Sequence, residues 1–377
     1  MRVLFVVSGL GLGGAEKQVV LLTNELARRG HDICIYALSD EVPRAEELSQ
    51  NRLRLVVDPK QNRLDLGVLR RLRAHIRDWR PDIVHGFLFD GNFYARVAAA
   101  GLAIPTLDSE RNDNYALPRL HALGYLVTSP FTNGLVANSF SGAEFAARNF
   151  MRPSKAVHVV WNGIDLQDVD KRLACSDQPA FKLLPGRGVK RLAVVGTIKP
   201  QKDLVLALRV ARRLVDTDPR WKMVVVGGEL AAAKSDYKAA VLRSYDELQL
   251  GESVKFAGSR RDVLEVMASC DAVLVTSRHE GFPNVILEAM ACGTPVVSTD
   301  YSDVRRILPL PWQVVSSRNE DDLVQALLRC DAERATVIAA QRKWVEAHAT
   351  AALCTDRLLS IYQSYIAQPA APMEQAP

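Results

Sequence analysis

The feature that most constrains this chain is an alternation that runs twice. Short apolar runs with almost no polar interruption, such as "RVLFVVS" and "PDIVHGF", alternate with longer amphipathic stretches such as "EKQVVLLTNELARRG". A strand that is apolar on both faces must be covered on both, and strands separated by helices run parallel. The pattern therefore predicts an α/β fold with a parallel sheet between two layers of helix. In the first half, strands are expected at "RVLFVVS", "HDICIYAL", "RLRLVV", "PDIVHGF", "IPTLDSE", "GLVANS" and "AVHVVW".

The alternation stops at "WNGIDLQDVDKRLACSDQPAFKLLPGRGV", a stretch rich in turn residues and charge that reads as a linker. It then restarts, with "RLAVVGTI", "WKMVVVGG", "SVKFAGS", "DAVLVTS" and "TPVVSTD" as strands. Two doubly wound domains follow: an N-terminal one over 1–165 and a C-terminal one over 166–349. A helix near 350–366 is long enough to pack back onto the first domain, and the tail 367–377 reads as disordered. Ligands of open parallel sheets sit beyond the carboxyl ends of the strands, so a ligand is expected between the facing domains.

At 377 residues and 48% hydrophobic composition the chain can bury two cores. Its net charge of +5 suits an anionic small ligand or an acidic membrane surface and gives no case for nucleic acid. The basic residues cluster in "LRRLRAHIRDWR" (69–80), where Leu69, Leu72, Ile76 and Trp79 recur at helical spacing and leave an Arg-rich outer face. That face reads either as a solvated surface or as a patch for a membrane or an anionic acceptor. The six scattered cysteines form no C-x-x-C pair and read as small buried hydrophobes of a reducing compartment, and no metal site is expected. The start is a strand rather than a leader, and no apolar run reaches the ~20 residues of a membrane helix. A cytoplasmic protein, at most peripheral on a membrane, is expected.

Two stretches carry chemistry. In "SGLGLGGAE", Gly9, Gly11 and Gly14 satisfy the G-x-G-x-x-G spacing, and a glycine turn at a helix start offers bare amides to an anion. That is compatible with a dinucleotide, with another anion or sugar, or with turn geometry alone; Asp40 is the one acid placed for a cofactor ribose, farther on than usual. The second stretch, "TSRHEGFPNVILEAMACGTPVVSTD", places Glu280 in a loop after a strand and Glu288 in the following helix, with Pro283 at the helix start. Two carboxylates so spaced can accept hydrogen bonds from the vicinal hydroxyls of two polyol rings. The amides of Gly281, Phe282, Pro283's neighbour Asn284 and the helix start suit phosphate or sugar oxygens. The competing reading makes Glu280 a helix cap and Glu288 a solvated residue. Upstream, "VVGTIKPQKD" puts Lys199 and Lys202 beyond a strand end, where a cation can neutralise a pyrophosphate.

Taken together and in order, "GGAE", "WNGID", "VGTIKPQKD", "VKFAGSRRDV" and "HEGFPNVILEAMACGTPVV" resemble the retaining glycosyltransferases of family 4, which have the GT-B fold. The resemblance implies two Rossmann-like domains, a nucleotide diphosphate sugar as co-substrate, no cofactor and no essential metal. It implies that Glu280 contacts the transferred sugar and that Glu288 binds the ribose. Lys202 would then bind the diphosphate, with main chain around Phe256 and Ala257, and Arg260 nearby, facing the base. Gly13 and Gly14 would approach the donor from the other domain. The leaving phosphate would itself deprotonate the acceptor, so Glu280 and Lys202 act by stabilising charge.

Three positions depart from the family. Thr197 stands where arginine is frequent, with Lys199 as a possible substitute in the donor site. Phe87 replaces a second histidine after His85, which is either a sugar contact at a strand end or a core histidine. "TDYSDVRRIL" lacks the usual glycine pair and acid. On the acceptor side, Arg111, Asn112 and Asn114 of "LDSERNDNY" suit hydroxyls or a phosphate. The expected function is transfer of a hexosyl unit to a glycan or polyprenyl-linked acceptor in cell-surface polysaccharide or lipopolysaccharide synthesis. A UDP-sugar epimerase of the same architecture and a non-catalytic sugar-nucleotide-binding subunit are the rivals.

Overall fold

The computed structural model describes residues 1–48, 51–111, 119–149, 156–176, 179–228 and 236–367. The chain divides into two compact units, one of residues 1–163 with the segment from Ala351 onward, the other Ile164–Thr350.

The first unit begins β1 (Arg2–Val7), α1 (Gly14–Arg28), β2 (Asp32–Ala37), β3 (Leu53–Val57), α2 (Leu66–Trp79), β4 (Ile83–Phe87) and α3 (Leu88–Ala99). It continues with β5 (Thr106–Glu110), α4 (Arg119–Thr128), β6 (Gly134–Ala137), α5 (Phe140–Asn149) and β7 (Ala156–Val159). The second unit holds α6 (Leu166–Ala174), α7 (Pro179–Leu183), β8 (Lys190–Val195), α8 (Leu204–Thr217), β9 (Trp221–Val226), α9 (Asp236–Glu247), β10 (Val254–Phe256) and α10 (Val263–Ala268). It closes with β11 (Ala272–Val275), α11 (Asn284–Ala291), β12 (Val296–Thr299), α12 (Val304–Ile307), β13 (Val314–Val315), α13 (Glu320–Ala332) and α14 (Arg334–His348); α15 (Ala351–Ile366) belongs to the first unit.

Both sheets are wholly parallel. The first runs β3-β2-β1-β4-β5-β6-β7 and the second β10-β9-β8-β11-β12-β13, so each reverses direction beside its own first strand. Strands such as β1, with Val3 to Val7 all buried, have no solvent face, which is why they read as continuous apolar runs. The two-residue β13 carries too little pattern to be read from sequence.

Helix α15 lies against α1. Its Cys354, Leu358 and Tyr362 are fully buried in the first unit's core, and Arg29 binds both the Ala352 carbonyl (2.9 Å) and Asp356. The Arg-rich helix α2 forms as read, capped by the Asp65 carboxylate on the Val68 amide and buried through Val68, Leu72 and Ile76. Its outer face is less free than its sequence suggests. Arg71 pairs with Asp58 at 2.7 Å and Arg73 donates to the carbonyls of Ala98 and Ala100, leaving Arg70 and Arg77 exposed. Among the described residues no helix is long and apolar enough to cross a membrane. The expected disordered tail lies, beyond residue 367, outside the described residues.

Candidate active site

In the second sheet the strand order reverses between β8 and β11, and the loops that leave their carboxyl ends carry the sequence-predicted residues. After β8 the backbone passes through Gly196 (φ 151°), a conformation that favours glycine, and then Thr197, Lys199 and Lys202. The aliphatic stem of Lys202 lies across Gly196: a Cβ there would meet its Cε at 3.1 Å. Gly196 is itself approached so closely by Gly227, at the end of β9, that a Cβ on Gly227 would stand 1.9 Å from the Gly196 carbonyl oxygen. The two bare backbones let the β8 loop lie flat and aim Lys202 across the strand ends.

Lys202 meets Glu280 there. Nζ lies 2.7 Å from Oε2, and both side chains are largely shielded. The other oxygen of Glu280 accepts a hydrogen bond from Ser277, so the carboxylate is held on both sides and caps no helix. Lys199 is half-buried near the same pair. Burial first, and then the charge of Lys202, hold its ammonium below the ordinary lysine range, with Glu280 opposing. Thr197, Lys202, Thr276 and Ser277 line a depression floored by apolar Val225 and Leu274.

Further bonds fasten the β8–α8 and β11–α11 loops together. Gln201 Nε2 donates to the His279 carbonyl (2.7 Å), the Arg278 amide to the Gln201 carbonyl (2.8 Å), and Thr276 Oγ1 to the Lys202 carbonyl (2.8 Å). Gly281 and Phe282 are buried, Pro283 occupies the cap position, and Asn284 opens α11, whose positive end therefore follows Glu280 directly in the chain. Glu288 sits in the second turn of α11, partly exposed beside buried Leu287 and Ala289.

The other residues expected at the donor have local partners. Arg260 is engaged by Asp262 through two hydrogen bonds of 2.8 and 2.6 Å, and the Phe256 ring packs edge-on against Tyr245 at 5.6 Å. In the first unit Gly13 caps α1 and Gly14 begins it, both exposed. Gly9 serves packing, since a Cβ there would meet the Glu41 carbonyl oxygen at 2.9 Å.

His85, expected as a possible sugar contact, is a core histidine. It is fully buried, with Nδ1 2.6 Å from Tyr362 Oη and Nε2 2.9 Å from Ser109 Oγ, and burial drives its pKa well below the ordinary value. Arg111, expected to be offered outward, turns inward. Its guanidinium is stacked on Phe87 at 4.7 Å and donates to Asn162 and Ser109, both at 3.2 Å. Asn112 and Asn114 lie outside the described residues. The residue that sequence reasoning missed is Arg318, which donates to Asp203 and to the carbonyls of Thr276 and Ser277. No local motif marks it.

Paired sheets of this topology and a lysine–glutamate site at a strand-order reversal define a class, and the comparisons agree with it. Residues 12–168 match the Glycosyltransferase Family 4 model and residues 178–343 the model for Glycosyl transferases group 1. The chain belongs to the family 4-type GT-B glycosyltransferases. It is similar to the D-inositol 3-phosphate glycosyltransferase of Thermomonospora curvata, 28% identical over 78% of this chain and 76% of that one. A Campylobacter jejuni N-acetylgalactosaminyltransferase acting on a diphospho-undecaprenol-linked sugar is 29% identical over 48% of this chain and 44% of its own. Among solved structures, Anabaena HepE in complex with UDP superposes with a TM-score of 0.82 over 97% of this chain and 100% of that one, at 18% identity. WaaG, a glycosyltransferase involved in lipopolysaccharide biosynthesis, gives 0.69 over 96% and 99%, at 16%. At such identities these two show the shared fold.

Proposed function

We propose that the protein transfers a hexosyl unit, with retention at the anomeric carbon and without a metal, from a nucleotide diphosphate sugar to a glycan or lipid-linked acceptor. The observation that carries this reading is the Lys202–Glu280 pair. A largely shielded ion pair at a strand-order reversal is a site already charged for an anion and a polyol. A bound diphosphate competes for Lys202, with Lys199 beside it, and the freed Glu280 then faces the transferred sugar. Positive charge from the two lysines and the α11 start stabilises the leaving diphosphate. Glu288 receives the ribose hydroxyls.

Support from similar proteins is of two kinds. HepE has been crystallised with UDP and with UDP-glucose, and the Campylobacter relative takes a lipid-linked acceptor. A polyprenyl-linked or lipopolysaccharide acceptor would bring the chain to an anionic membrane on the cytoplasmic side, for which the exposed Arg70 and Arg77 of α2 are suited. Sedimentation with anionic vesicles at low salt tests this contact; a protein left wholly in the supernatant would refute it.

The donor site is tested by thermal shift with UDP-, GDP- and ADP-sugars against wild type and Glu288→Ala, because a ligand bound only by the folded state raises its stability. One sugar nucleotide should shift the wild type and shift Glu288→Ala less. Equal shifts, or none, would remove the assignment.

A further inference from the structure

Around the Lys202–Glu280 pair three residues that are not glycine hold left-handed backbone: Asp203 (φ 46°), Ser302 (φ 45°) and Arg318 (φ 50°). A residue with a Cβ enters this region against a steric cost, and such strain persists where its surroundings over-determine it. Each of the three is fastened to the Glu280 loop or to the Lys202 loop. Ser302 Oγ donates to the Gly281 carbonyl at 2.7 Å. The Asp203 carboxylate, next in the chain to Lys202, accepts from Arg318 Nη2 at 2.5 Å and from Arg278 Nη2 at 2.8 Å. Arg318 Nη1 donates to the Ser277 carbonyl at 3.0 Å, and Nη2 also reaches the Thr276 carbonyl at 2.9 Å.

We propose that Arg318 is a positioning residue for the group transfer, clamping the loop that carries Lys202 to the loop that carries Glu280. The proposal rests on the reading of those two residues as donor contacts. A diphosphate that draws Lys202 away removes one of the side-chain ties between the loops. The Arg318 clamp does not compete for that ligand, because its partners are Asp203 and two backbone carbonyls. It therefore holds both loops in register while Lys202 changes partner, so that only a side chain has to move. The planar fork of arginine suits three acceptors on two loops, which the single ammonium of lysine cannot satisfy together. Arg278, the other partner of Asp203, is 59% exposed against 29% for Arg318 and is the weaker tie.

The test compares wild type with Arg318→Gly, which adopts the left-handed turn without strain and so separates the clamp from the fold, and with Arg318→Lys. Hydrogen exchange should quicken about tenfold or more at the amides of Lys202, Asp203 and Arg278 together, with the thermal midpoint little changed. Affinity for whichever of UDP, GDP and ADP binds wild type best should fall about tenfold by calorimetry, with Arg318→Lys between the two. Unchanged exchange in either loop, or unchanged affinity alongside a loss in Lys202→Ala, would overturn the clamp and leave the donor site standing. Should Lys202→Ala bind as wild type does, or none of the three bind wild type, the donor reading itself fails and the clamp has no reaction to serve.

Discussion

Lys202 Nζ and Glu280 Oε2 lie 2.7 Å apart although their residues are 78 positions apart in the chain. The contact exists because β8 and β11 are neighbours in the sheet, so the loops leaving their ends start side by side. Each partner neutralises the other. In the proposed transfer an anion would take Lys202 and a hydroxyl-bearing ring Glu280, so that the two charges would be used separately.

Removing either member should therefore affect function far more than folding. Lys202→Ala and Glu280→Gln should each lower the transfer rate by about 100- to 1,000-fold, the loss typical of one preorganised charge-stabilising contact. Stability should fall by only about 1–2 kcal/mol, since the pair is shielded but not fully buried. Release of nucleoside diphosphate from the donor, alongside thermal unfolding, measures both.

Lys199 gives the site a signature in alkali. Its folded pKa lies below the ordinary 10.5, so between the two values the unfolded chain holds the extra proton and stability rises with pH. Burial is the main cause of the shift, and a bound diphosphate would oppose it by supplying negative charge, so protons should be taken up on binding in that window. Calorimetry in alkaline buffers of different ionisation enthalpy would show the uptake, and Lys199→Met should abolish it.

His85 makes the first unit sensitive to acid. Its folded pKa is well below 6.5 because the ring is buried, so below pH 6.5 the unfolded state gains a proton that the folded state refuses. Stability contributed by the neutral ring is complete above 6.5 and is lost as pH falls. Thermal midpoints taken downward from neutrality should decline less steeply in His85→Phe than in wild type.

Arg96 and Asp108 form a wholly buried pair at 2.6 Å, and Arg96 also donates to the Tyr125 carbonyl and Thr128. Arg96→Met strands the Asp108 charge and should cost about 3–5 kcal/mol, whereas Arg96→Met with Asp108→Leu should recover most of it. Denaturant unfolding of the three proteins decides.

Two glycines should respond unequally to alanine. Gly227 has φ 147° and no room beside the Gly196 carbonyl, so Gly227→Ala should cost about 3 kcal/mol or more and disturb Lys202 with it. Gly30 has φ 86° with open space around its missing Cβ, and Gly30→Ala should cost only about 1 kcal/mol. Melting temperatures rank the pair.

Whereas the stretch read as a linker folds as α6 and α7, the sequence by itself determined the parallel sheets, the loops that carry Lys202 and Glu280, and the helix that carries Glu288. These are local consequences of uninterrupted apolar strands, turn residues and a proline-led helix, and pattern along the chain records them. What only the tertiary structure decided is which side chains face one another. Arg111 follows the end of β5, where ligand contacts are made, yet it turns inward; His85 lies in the middle of β4, and the helix Ala351–Ile366 returns from far along the chain and covers it with Tyr362. Arg318 looks like any surface arginine until β13 sets its turn beside Asp203. Burial and partnership depend on neighbours distant in sequence, and a linear pattern of hydrophobicity carries no record of them.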